Sequence, residues 1–232
     1  MKNTRLRALC ESAIMLALAV VLSYIKFWEL PFDGSITLFS MLPVCLIAVK
    51  YGFKWGLGTA FCFSWFQVLQ GGVFSWGLTP LMLIGSLLLD YILAYTVLGF
   101  AGMFRKKGYW GILGGITAVC ALRFLIHFLA GIILWANLEE FVAFGATWVG
   151  RPVLYSICYN GVYMLPETVL TVGVAAILLK IPQIKRILTV PTVAVSTFTT
   201  AADVAEVKDT LQDIKDTLQD IKEEKNADDT DR

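Results

Sequence analysis

The sequence contains a single histidine, His127, and little charge: 16% of its 232 residues are Asp, Glu, Lys or Arg. A soluble domain carries about 25%. Cys10, Cys45, Cys62, Cys120 and Cys158 are odd in number and unpaired in spacing, which argues against a disulfide framework. With one histidine and dispersed acids there is no metal cluster with ligand spacing, so the cysteines read as small buried hydrophobes. No phosphate loop, HExxH or GxSxG occurs. The chain therefore cannot use ATP by itself, and neither enzyme activity nor a cofactor nor a metal is expected. Movement of a solute uphill needs an ion gradient or a separate energised partner.

What the chain has is apolar residues, 57% of the total, with a mean hydropathy of +0.70. That places it among membrane proteins. The net charge of +1 hides an asymmetry, because eleven acidic and five basic residues lie after position 200. The remainder holds seven acidic and fourteen basic residues, collected in short loops. This suits a membrane protein oriented by lysine and arginine and gives no sign of nucleic-acid binding.

The hydropathy pattern predicts six spans, from about Leu9 to Phe27, Ile36 to Val49, Trp55 to Leu69, Leu81 to Ala101, Gly111 to Trp135, and Tyr155 to Leu179. Basic residues cluster at the N-terminus, at Lys50 and Lys54, at Arg105 to Lys107, and from Lys180 onward. An all-α bundle of six transmembrane helices with both termini in the cytoplasm accommodates every cluster. The loops at 26–35, 70–80 and 136–154 then share the outer face. The expected domains are a membrane domain over 1–188, a Ser/Thr-rich linker over 189–202, and an acidic tail over 203–232. In the tail Val204, Val207, Leu211, Ile214, Leu218 and Ile221 recur at intervals of three and four, a heptad pattern suited to a short helix or a disordered segment.

Arg123, His127, Gly131 and Trp135 follow at intervals of four and form one stripe on the fifth span. Asp90 and Tyr91 lie mid-span in the fourth, where a lone carboxylate needs a partner, a proton or a wet cavity. The sixth span opens with Tyr155, Tyr159 and Asn160 and contains Pro166 and Glu167; the latter is either a functional carboxylate or a protonated packing group. Trp28, Trp65, Phe74, Trp76, Asp90, Tyr91, His127, Gly131, Trp135, Tyr155 and Asn160 form a candidate outer-side pocket. One carboxylate among aromatic rings suits a flat, partly aromatic cation. His127 and Asn160 would supply directional hydrogen bonds, and Gly131 a close approach of backbone to ligand. Each residue also has a plain structural reading: Asp90 paired with Arg123, His127 bonded to a helix carbonyl, the tryptophans as interfacial anchors. Ala13 and Ala17 give the first helix a small-residue face for a neighbouring helix or a partner subunit.

The runs HFLAGIILW (127–135) and YSICYNG (155–161), supported by LLDYILA around Asp90, the glycine-rich 71–77 loop and Trp28, resemble the ThiT family. These are the thiamine-specific S components of energy-coupling-factor transporters, and the resemblance covers roughly residues 5 to 188. It implies a six-helix protein of the bacterial plasma membrane that captures thiamine from outside. It also implies a transmembrane coupling subunit and two cytoplasmic ATPases as partners. By the resemblance Trp28, Trp65, Asp90, Tyr91, His127, Gly131, Trp135, Tyr155 and Asn160 bind thiamine, with Asp90 facing the thiazolium, and Ala13 and Ala17 meet the coupling subunit. Asp90 stands where the family member compared has glutamate, and the tail has no counterpart. The alternatives are an S component for another vitamin or a thiamine precursor, a secondary carrier using Glu167, Asp90 and Arg123, and a scaffold acting through its tail.

Overall fold

The computed structural model describes residues 2–135, 142–143, 146–147, 150–189 and 212. The chain divides into two units, Met1–Val193 and Ala194–Arg232. The acidic heptad tail and the linker expected from the sequence lie outside the described residues, apart from Thr189 and Gln212.

The first unit consists mainly of helices: α1 (Lys2–Tyr24), α2 (Leu42–Tyr51), α3 (Phe53–Gln70), α4 (Pro80–Phe104), α5 (Gly108–Ile133), α6 (Pro152–Leu178) and α7 (Pro182–Thr189). Four of them, α1, α4, α5 and α6, are long and apolar enough to cross a membrane. The chain is thus an all-α, multi-pass membrane bundle, with four such helices where the sequence pattern predicts six spans. The 10 residues of α2 reach only about 15 Å. The 18 residues of α3 include Lys54, Ser64, Gln67 and Gln70, which dilute its hydropathy.

The second span predicted from Ile36 begins instead at Leu42, because the chain before it forms a hairpin. Strands β1 (Lys26–Glu29) and β2 (Ser35–Thr37) pair antiparallel with an irregularity between Lys26 and Trp28. A second short pair, β3 (Val142–Ala143) and β4 (Ala146–Thr147), follows α5. These strands are too short to leave a period-two pattern in the sequence.

Local chemistry sets several helix ends. Thr79 caps α4 by accepting from Met82 N at 3.4 Å, and Pro80 and Pro152 open α4 and α6 where a missing N–H costs nothing. Gly52, with φ of 92°, turns the chain between α2 and α3 in one residue. Every residue from Leu42 to Lys50 is buried, so α2 is an internal rod packed with Phe63, Leu98 and Ile116. At its end Lys50 Nζ and Tyr51 Oη both donate to Glu11 Oε2 on α1, the latter at 2.6 Å, while Arg7 Nε donates to Glu11 Oε1 at 2.8 Å.

Helix α4 is irregular. Leu87–Leu93 is a π-helical segment and Val97–Phe104 a 3-10 segment of eight residues, longer than the three or four such turns usually sustain. Gly99 lets this stretch pack closely on α3. A Cβ there would lie 2.5 Å from the Leu57 backbone nitrogen, so α4 and α3 meet backbone to backbone.

Candidate functional site

The π-helical segment carries Asp90 and Tyr91 toward a cavity that both residues line. π-Bulges often sit at functional sites because they re-aim side chains without ending the helix. Asp90 is held by three donors from three directions. Ser86 Oγ donates to Oδ2 at 3.0 Å, Trp135 Nε1 donates to Oδ2 at 3.0 Å, and His127 Nδ1 lies 3.1 Å from Oδ1. The expected stripe on α5 is therefore real, and its lower member has a different role. Arg123 pairs with Glu167 at 2.9 Å, donates to Tyr95 Oη at 2.9 Å, and leaves Asp90 free of a cationic side chain.

Glu167, which the sequence left open between two roles, is the counter-ion of Arg123. Both are fully buried at the cavity wall, and Thr37 Oγ1 donates to the second carboxylate oxygen at 2.6 Å. Arg123 ties α4, α5 and α6 together and also reaches the cavity, in place of the pairing with Asp90 that its sequence also allows. Lys26, another lining cation, is paired with Glu29 at 2.6 Å. Among the described residues neither lining carboxylate, Asp33 or Asp90, is paired with a lysine or arginine, and His127 Nδ1 is the basic group beside Asp90.

Aromatic rings supply the rest of the wall. Phe32 packs against Trp76 and Trp135 with ring centroids 5.5 Å and 5.1 Å away, and the two tryptophans are 5.8 Å apart. Tyr155, Tyr159 and Tyr163 recur every fourth residue along α6 and contact each other in series at 5.6 Å and 5.7 Å. The His127 ring stands edge-on to Tyr95 and Tyr163.

Of the eleven residues expected in the pocket, Trp76, Asp90, Tyr91, His127, Gly131, Trp135, Tyr155 and Asn160 line this cavity. Trp28, Trp65 and Phe74 do not; they are 48%, 51% and 65% exposed. An apolar helix has aromatic residues on its lipid-facing side as well as its inner side, and the position of Trp65 alone does not distinguish them. The α3 residues at the cavity are Gln67 and Gln70. Replacing Trp65 by alanine is expected to change ligand affinity by less than about 2-fold, since its ring lies outside the cavity lining and packs on Phe61. An affinity titration of the variant checks this.

Two residues serve the site differently from expectation. Gly131 allows close approach of α6, because a Cβ there would collide with Ser156 Oγ, which donates to Phe128 O at 2.7 Å. The Asn160 amide nitrogen is taken up by His127 O, Ser156 O and Ser156 Oγ, while its oxygen accepts from Tyr163 Oη at 3.0 Å. Asn160 thus joins α5 to α6. Gly131→Ala is expected to push these helices apart at a cost of about 1–3 kcal/mol, read as a lower unfolding midpoint.

Asp33, Phe32, Tyr159 and Tyr163 also line the cavity. In sequence an Asp-Gly pair signals only a turn, and a helical period does not show which neighbour a tyrosine faces.

A membrane bundle with a cavity lined by aromatic rings and by the carboxylates Asp33 and Asp90 defines a membrane protein that binds a small solute. The particular family follows from comparison with known proteins. The model of the thiamine transporter protein family (Thia_YuaJ) matches residues 9–186, and the chain belongs to that family. It is 30% identical to the thiamine transporter ThiT of Bacillus subtilis, with 76% of this chain and 92% of that protein covered. It is 27% identical to the thiamine transporter ThiT of Lacticaseibacillus paracasei, with 79% and 92% covered. A solved structure of ThiT from Listeria monocytogenes superimposes with a TM-score of 0.59 at 25% identity, covering 78% of this chain and 97% of that one.

Proposed function

We propose that this protein captures thiamine at high affinity as the substrate-binding subunit of an ATP-driven energy-coupling-factor transporter in the bacterial plasma membrane. The observation that carries the reading is the pairing pattern in the cavity: Lys26 and Arg123 are neutralised by Glu29 and Glu167, whereas no lysine or arginine among the described residues pairs with Asp33 or Asp90. Thiamine is a monocation with two flat aromatic rings joined by a methylene, and it supplies a cation for the unpaired carboxylates and rings for the aromatic wall. The thiazolium faces Asp90 within the ring cage of Phe32, Trp76 and Trp135, where a desolvated cation–ring contact adds about 2 kcal/mol. Tyr91, Tyr155 and His127 contact the remaining ligand surface. The family relationship supports the same solute.

In this reading six membrane elements with both termini in the cytoplasm would put β1, β2, the 71–77 turn, Trp135 and Tyr155 at the outer side with the cavity open to the exterior, an orientation that the basic clusters at Lys50 and Lys54 and at Arg105 to Lys107 support. Ala13 and Ala17 are exposed one helical turn apart on α1 and offer the small-residue face for the transmembrane coupling subunit, with two cytoplasmic ATPases supplying energy. Reconstitution distinguishes this from a stand-alone carrier. Vesicles holding this chain with the coupling subunit and ATPases are expected to accumulate thiamine only when ATP is inside. Accumulation by the chain alone under a proton or sodium gradient would refute the assignment and favour ion coupling through Glu167, Asp90 and Arg123.

A further inference from the structure

The hairpin that joins β1 to β2 carries two adjacent non-glycine residues in the left-handed region, Phe32 at φ 61° and Asp33 at φ 63°. Such conformations persist where the surroundings over-determine them and cluster at ligand clamps. Here the surroundings grip one oxygen of Asp33. Gly72 N donates to Oδ2 at 2.6 Å and Tyr91 Oη donates to the same atom at 3.1 Å. The adjoining Gly71 is part of this cradle, since a Cβ on it would lie 2.5 Å from Tyr91 Oη and 2.9 Å from Asp33 Oδ2.

The other oxygen is uncommitted. Each oxygen of Asp90 and of Glu167 has at least one protein donor or histidine nitrogen, whereas Asp33 Oδ1 has no donor among the described residues. Asp33 lines the same cavity. An ionised carboxylate is an acceptor only, and one whose orientation is already fixed can take an N–H donor without reorganising. Asn160, the other side chain suited to an amino group, has its nitrogen bonded within the protein and one lone pair left on its oxygen.

We infer that Asp33 is a specificity-determining residue: its Oδ1 accepts a hydrogen bond from the exocyclic amino group on the ligand's pyrimidine ring. This rests on the proposed thiamine function and divides the work between two carboxylates, Asp90 facing the cation and Asp33 reading the amine. An analogue with a carbonyl oxygen in place of the amine sets acceptor against acceptor and is rejected.

The test is a fluorescence titration of the full-length protein and its Asp33→Asn variant with thiamine and with oxythiamine, in which an oxo group replaces the amine. Asparagine keeps the side-chain shape and an oxygen for Gly72 and Tyr91, and turns a donor toward the ligand. The parent is expected to prefer thiamine by roughly 10-fold or more. The variant is expected to lose roughly 10- to 100-fold in thiamine affinity while oxythiamine binds as before or tighter, so that the preference collapses. Saturable oxythiamine binding also shows that the variant is folded. Equal loss of both ligands, or an unchanged preference, would overturn the inference. A parent protein that binds neither ligand would instead refute the thiamine function itself.

Discussion

Asp90→Asn is expected to weaken thiamine binding by about 100-fold, equivalent to about 2.7 kcal/mol. Two effects add. The substitution removes the negative charge that faces the thiazolium in a site where Asp90 is only 14% exposed and the cation has lost most of its water. It also places an NH2 group among the donors Ser86 Oγ and Trp135 Nε1 and beside His127 Nδ1, so at least one hydrogen bond is lost or reversed. Asp90→Glu keeps the charge and lengthens the side chain by one methylene, and it is expected to bind within about tenfold of the parent. Unchanged affinity in the asparagine variant would remove Asp90 from its role as counter-charge.

The second large effect concerns stability. Glu167→Ala strands the Arg123 guanidinium in the bundle with Tyr95 Oη and Met41 Sδ as its remaining partners. Breaking a buried pair from one side costs about 3–5 kcal/mol, because an uncompensated charge remains. The unfolding midpoint in detergent should fall accordingly. The double replacement Arg123→Met with Glu167→Leu removes both charges and is expected to recover most of that loss. A double-mutant cycle measures the coupling directly, and strict additivity of the two single changes would show that the pair contributes nothing.

The two cases show what could be read from the residues alone. Arg123 and His127 stood out in the sequence because polar groups in an apolar run are costly, and their spacing put them on one face. Their partners were not legible. Arg123 joins Glu167, 44 residues later, and His127 joins Asp90, 37 residues earlier, and nothing in a helical period says which of two acidic residues lies opposite. The long spans were legible for a simple reason: 20 to 27 apolar residues exceed any alternative. The helix α2 was predicted too early because Ile36 and Thr37, which belong to β2, are as apolar or β-branched as a span's first turn.

Aromatic residues misled where charge did not. Trp65 and Trp135 are equally conspicuous in the sequence, yet one is half exposed and the other donates to Asp90. The discriminating feature is a tertiary contact, and a tryptophan in an apolar helix satisfies lipid and core alike. Asp33 shows the converse. An Asp-Gly pair in a loop signals no more than a turn, and the carboxylate's partners, Gly72 and Tyr91, lie 39 and 58 positions away.

Calorimetric titration of the purified full-length protein with thiamine, set beside riboflavin, biotin and the isolated aminopyrimidine moiety, tests the account most directly. The acidic, ring-lined cavity predicts one thiamine per chain with a dissociation constant of about 1 μM or tighter, with no comparable heat from the other compounds. Absence of thiamine binding, or equal affinity for the uncharged pyrimidine, would contradict it.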